Sequence, residues 1–175
     1  MVGHYSVIDR LVARLYGQPI IRNVLRGELV EQFVLDALGD GWMAASDWEA
    51  WDVQSVDGKH RIQVKQSAAR QIWADVDCKP SNARFSIKGS MAWTDAGGWS
   101  GEISRQATLY VFAWHPLVDA LADHRDPEQW EFYLISSDKL PEQKSIGLNA
   151  IKTLCARSMV GGLSQRLAAL IASNS

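Results

Sequence analysis

Four residues in the first half of the chain carry side chains that can act together: Glu31, Asp52, Gln63 and Lys65. Three of them fall within the stretch WEAWDVQSVDGKHRIQVKQSA, with Asp57-Gly58 between Asp52 and the Gln63-x-Lys65 pair. Asp-Gly between two alternating apolar runs is a strong hairpin signal. Once the arms pair, Asp52 lies across the ladder from Gln63 and Lys65, because Trp51 and Val53 point away from it as Ile62 and Val64 point away from them. A carboxylate, an amide and an ammonium then share one face. A hard divalent cation takes oxygen ligands, usually one or two carboxylates plus waters and phosphate. Asp52 and Glu31 can provide the carboxylates. The Gln63 side-chain carbonyl and the Val64 main-chain carbonyl can provide neutral oxygens. Lys65 is a compact charge able to hold a nucleophilic water or to stabilise charge building on a phosphorus centre. The chemistry implied is phosphodiester cleavage with Mg2+ or Mn2+ as cofactor.

The elements that must position these groups follow from periodicity. Residues 6–16 read as a helix with Ser6 as cap and Ile8, Leu11, Val12 and Leu15 on one face. A second helix runs from about Asn23, taken as its cap, to Leu38, with Gly39 as the stop. Glu31 falls among Val24, Val34, Leu35 and Leu38 on its apolar stripe, where a carboxylate is costly unless paired or bound to a cation. Glu28 sits at the stripe's edge. Strands are predicted over 42–46, 49–56 and 60–66. Residues 68–73 read as a helical turn, 83–87 as a short strand, and 107–114 and 130–136 as core strands, with polar HRDPEQ between the last two. The tail reads as helical over 148–157 and 160–172, where Leu163 to Ile171 form an apolar face that is also a candidate dimer interface. Residues 74–104 form a Gly- and Trp-rich insertion of unassigned structure. The order predicts a single α/β domain over 1–175, a central mixed sheet flanked by helices.

Spacing of Glu31, Asp52, Gln63 and Lys65, with Gly27 four residues before Glu31, resembles the PD-(D/E)xK nuclease superfamily, in its Mrr-like variant with glutamine in place of the second acid. The resemblance covers about 23–73 and extends more vaguely over 105–140. The proline of the superfamily's name is missing, since Trp51 precedes Asp52. It implies a restriction-endonuclease-like core, a metal-dependent deoxyribonuclease, DNA or RNA as partner, and a setting in restriction or defence against foreign DNA. An alternative is a non-catalytic module that keeps the nuclease fold and uses a Trp-rich surface for a nucleic-acid or protein partner.

Composition limits the reading further. The net charge of −2 counts against coating of nucleic acid by bulk charge and leaves room for an enzyme whose basic residues are local. Lys59, His60 and Arg61 beside the hairpin turn, and Arg70 beyond it, are the candidate phosphate contacts. Eight tryptophans are expected mainly in the core. Cys78 and Cys155 sit in no paired motif, and His4, His60, His115 and His124 lack zinc-site spacing, so reduced thiols and no zinc are expected. No run is apolar enough for a membrane span, and the N-terminal residues lack the pattern of a secretory signal, so a cytoplasmic location is expected. Because one site cuts one strand, a homodimer is the expected route to double-strand cuts.

Overall fold

The computed structural model describes residues 6–91, 93–94, 97–99 and 101–173. His4 therefore lies outside the described residues. Helix α1 (Val7–Tyr16) starts at the expected cap, Ser6, which accepts from the Asp9 N–H while the Asp9 carboxylate accepts from the Ser6 N–H, completing a capping box. Helix α2 (Asn23–Leu38) stops at Gly39, whose φ of 73° suits glycine. A five-stranded mixed sheet follows in the order β1 (Trp42–Ala44), β2 (Val53–Ser55), β3 (Arg61–Ala68), β7 (Leu109–His115), β8 (Glu131–Ser136). β3 and β7 are parallel, and the other neighbours are antiparallel. A parallel pair needs a long crossover. The chain makes it through β4 (Arg84–Ser86), β5 (Trp93–Thr94) and β6 (Gly98–Trp99). β4 then pairs with β9 (Ser145–Gly147), ahead of helices α3 (Leu148–Leu154) and α4 (Val160–Ser173).

Two apolar layers hold the sheet. Val30 and Val34 of α2 and Leu163 and Leu167 of α4 bury against Ile62, Val64, Val111 and Phe132 on one face. On the other, Phe85, Ile146 and Ile151 cover Tyr110, Phe112 and Tyr133. β7 and β8 are therefore buried along their whole length, as a continuous apolar run demands. The fold class expected from the sequence, α/β with a central mixed sheet between helices, is the one found.

Several boundaries differ from expectation. The first arm of the hairpin is only Val53–Ser55, because a turn closes over 46–49: the Glu49 N–H reaches the Ser46 carbonyl at 3.0 Å, and the Glu49 carboxylate takes the Ser46 N–H at 2.8 Å. The second arm runs two residues further, to Ala68, because β7 pairs with it throughout, and this replaces the helical turn expected from 68. Asn23 is the first residue of α2 and not its cap. Arg22 occupies the cap position without a side-chain bond, while Asn23 Oδ1 takes bonds from Arg26 and Gln66. Val24 is exposed, and the buried stripe of α2 is Arg26, Val30 and Val34. Leu163 and Leu167 are fully buried core residues, so the face proposed for a dimer is already covered by the sheet. Trp130 and Trp114 are core, Trp42 and Trp51 are half-buried, and Trp48, Trp73 and Trp99 are exposed against the core expectation. Cys78 and Cys155 are free thiols.

Candidate active site

Register decides where Asp52 goes. Val53 pairs with Ile62, and the Asp52 N–H bonds the Ile62 carbonyl at 3.0 Å, so Asp52 stands opposite Gln63. Its Oδ2 takes two hydrogen bonds, one from the Gln63 side-chain amide and one from the Val64 N–H at 2.6 Å. β2 begins only after Asp52, so the β3 edge beside Val64 has no strand against it. A strand residue presents its N–H and C=O to the same edge. The Val64 carbonyl therefore opens toward Asp52, on the side its N–H already marks. The amide of Gln63 gives its NH2 to Asp52, which leaves its carbonyl oxygen for another partner.

Glu31 comes from the adjacent helix. It lies at the margin of the buried stripe, half-buried, and its carboxyl is pushed up to about 7. Burial is the largest cause, the negative charges of Asp52 and Glu28 add to it, and the ammonium of Lys65 opposes it. The Asp52 carboxyl is also raised, again by burial first, against the pull of Lys65 and of the bonds from Val64 and Gln63. Both carboxyls are thus held toward the protonated form by burial, that of Glu31 further by the charge of Asp52, beside one lysine. All four residues singled out by spacing are thus brought together at one open strand edge.

The basic residues fare differently. Lys59 pairs with Asp57 at 3.1 Å in the hairpin turn, at the far end of β2 from Asp52. His60 rests against Trp42, with ring centroids 6.2 Å apart. Arg61 lies nearer, its guanidinium 4.0 Å from the centre of the Trp51 ring. Arg70 donates to the Asp119 carbonyl at 3.1 Å and is held by main chain.

Sequence reasoning missed Arg26, which is 1% exposed and donates from Nε to Gln66 Oε1 at 2.6 Å. That bond joins the helix of Glu31 to the strand of Lys65. The signal was present in the i, i+4, i+8 spacing of Arg26, Val30 and Val34, which puts a cation on the buried stripe.

The donor set suits a hard, oxygen-seeking cation. Among the described residues no three His, Cys, Asp or Glu side chains gather as metal ligands. A cation here would rest on Asp52 and Glu31, the Gln63 and Val64 oxygens, and solvent or substrate oxygens, a composition that fits Mg2+ or Mn2+ and not zinc.

No family model matches the sequence, and no curated protein matches it. Among solved structures, the fold is similar to that of a bacterial homing endonuclease, I-Ssp6803I, at 17% identity over 72% of this chain and 77% of that one, with a TM-score of 0.38. Among the described residues no helix is long and apolar enough to cross a membrane.

Proposed function

We propose that the chain is a metal-dependent phosphodiesterase acting on DNA, a PD-(D/E)xK-type nuclease with glutamine at the second acidic position. The observation that carries this reading is the pair of carboxyls, Glu31 and Asp52, both raised by burial beside Lys65 at an open strand edge. Such a pair is poorly satisfied without a cation and well satisfied with one. Bound Mg2+ or Mn2+ would supply Lewis-acid charge at the phosphoryl oxygens and lower the pKa of an attacking water.

The chain's own residues do the rest. Asp52 is fixed by two donors on Oδ2, which leaves Oδ1 for a cation. Glu31 adds the second charge and must lose its proton to do so. Gln63 orients Asp52 with its NH2 and offers its carbonyl. Lys65 donates to the nucleophilic water or to a non-bridging phosphoryl oxygen and offsets negative charge there. DNA is the substrate that the resemblance in the hairpin motif implies, and restriction or defence is the setting it suggests.

Nicking of supercoiled plasmid, with Mg2+ or Mn2+ against a chelator control, tests the reading. Metal-dependent relaxation, lost in Asp52→Asn and Lys65→Ala proteins of unchanged circular dichroism, is the expected result. A parent protein that cuts neither DNA nor RNA under either metal would sink it. The non-catalytic alternative would then rest on Trp48 and Trp73, which are 77% and 78% exposed, as stacking surfaces.

A further inference from the structure

The connection between β1 and β2 ends in Asp52 and carries an aromatic ring that the chemistry at the carboxylates does not use. Trp48 lies in it and is 77% exposed. The loop that presents this ring is tied at several points. The Ala45 N–H bonds the Asp52 carbonyl at 2.9 Å and closes its two ends, while the Asp52 N–H fastens it to β3 through the Ile62 carbonyl at 3.0 Å. On either side of Trp48, Ser46 and Glu49 bond each other twice, through the Glu49 N–H to the Ser46 carbonyl at 3.0 Å and the Ser46 N–H to the Glu49 carboxylate at 2.8 Å. Trp51 is fixed as well, with its indole N–H on Gln54 Oε1 at 2.9 Å and its ring against the Arg61 guanidinium. A tryptophan on a slack loop can fold back onto apolar surface. Here the tied backbone holds the ring out in solvent. Trp48 precedes Asp52 by four residues. Even fully extended, that length of chain separates the two Cα atoms by no more than about 14 Å, a distance that a few nucleotides cover. Trp73 is as exposed, but it follows the far end of β3, away from Asp52.

Charge gives the ring its significance. The basic residues around the hairpin are few and engaged: Lys59 with Asp57, Arg61 on Trp51 and Arg70 on a main-chain oxygen. Phosphate neutralisation supplies most of the sequence-independent grip on a duplex. A chain with a net charge of −2 and so few free cations near the site needs another source of affinity. Stacking on an aromatic ring is such a source for single strands, since every base has a face and an unpaired base leaves it uncovered. In a closed duplex the neighbouring base pairs cover both faces. The sequence neighbours Asp47 and Glu49 are acidic. They favour contact of the ring with a base over contact with a phosphate, and they depart from the uncharged centre around which a protein interface is built.

We propose that Trp48 stacks on an unpaired base of the strand held at Asp52, so that the substrate is DNA that is single-stranded or locally opened. The link to cleavage rests on the nuclease reading above, and the stacking site does not. Negative supercoiling favours strand opening, so the plasmid test contains this substrate.

Fluorescence anisotropy in chelator, with cleavage silenced, tests the stacking site on the full chain. The probes are a labelled oligonucleotide of about 12 nucleotides, within the span of single-strand sites, and the blunt duplex of the same sequence. The parent is expected to bind the single strand more tightly. Trp48→Ala and Trp48→Leu should each weaken single-strand binding at least about fivefold, the lower end of what one stacked base contributes, and Trp48→Phe should keep most of it. The salt dependence should be unchanged in all three, because the ring neutralises no phosphate. A parent that prefers the duplex or binds neither probe, Ala and Leu variants that bind as the parent does, or a loss accompanied by a shallower salt slope overturns the stacking site. Cleavage with Mn2+ of a gapped duplex against a closed linear one then tests the substrate class. The gapped form should be cut faster, and Trp48→Ala should shrink the difference. Equal rates on the two overturn the substrate class and leave the nuclease reading standing. A parent that binds single strands through Trp48 and cuts nothing removes the nuclease reading and leaves the stacking site.

Discussion

Glu31 ties protonation to stability and, in the proposed reading, to metal uptake. Its carboxyl is raised to about 7, so the metal-free folded protein holds a proton there that the unfolded chain releases near pH 4.3 or so. Between those two values the folded state binds more protons, and stability falls as pH rises through the window. Asp52 is shifted in the same direction and steepens the acid side. Glu31→Gln should therefore flatten the fall between about pH 5 and 7 and raise the melting temperature of the metal-free protein at pH 8. Circular dichroism melts in chelator measure this, and an unchanged slope in the variant counts against the assignment. A cation bound as proposed would have to displace the same proton. Apparent Mn2+ affinity should rise up to about tenfold per pH unit below 7 and level off above it, which titration calorimetry at pH 5.5, 6.5, 7.5 and 8.5 reads directly. Affinity that is flat across that range would mean that Glu31 is not a ligand. Gln63→Glu should tighten metal binding by adding a charge, at the cost of the amide that now holds Asp52.

The elements carrying these groups were legible to different degrees. Both N-terminal helices could be read because their signals are local: a capping box at Ser6 and Asp9, and a positive-φ glycine at 39. The hairpin was visible in Asp57-Gly58, and with it the facing of Asp52 and Gln63. Strand ends were not, because they depend on partners distant in sequence: β3 reaches Ala68 only because His115 pairs with it. Arg26 was hidden for a related reason, since its acceptors Gln66 and Gln71 lie 40 and 45 residues away. The exposed tryptophans show the limit of composition, which gives the tendency of a residue type and not its address. Two substitutions test the elements. Val34 is fully buried between α2 and the sheet, so Val34→Ala should cost about 2 kcal/mol and loosen the helix that holds Glu31. Gly58 sits at φ 71° with open space where a Cβ would go, so Gly58→Ala should cost only about 1 kcal/mol, from backbone conformation alone. Urea unfolding separates the two. Equal losses would show that α2 is not anchored through its buried stripe.

Charge and assembly belong to the whole molecule, and for the proposed nuclease together they determine the product. A net charge of −2 counts against holding a duplex by bulk positive charge, and of the cations near the site Arg61 is already stacked on Trp51. Few phosphates can be neutralised, so the logarithm of DNA affinity should fall with the logarithm of salt at a slope of about −2 to −3, each neutralised phosphate adding roughly −0.9. Fluorescence anisotropy of an Asp52→Asn protein on a labelled duplex gives that slope. A value steeper than about −6 would mean a larger basic interface than these residues form. Assembly enters through α4. Its apolar face, Leu163 and Leu167, is spent on the core, which removes the surface the sequence offered for pairing two sites across a duplex. One site can reach one strand in a single encounter. The expected product from supercoiled plasmid is therefore the nicked circle, accumulating before any linear form and at a rate first order in protein. Should linear plasmid appear together with nicked circle, at a rate rising with the square of protein concentration, two copies are acting in concert through another face of the molecule.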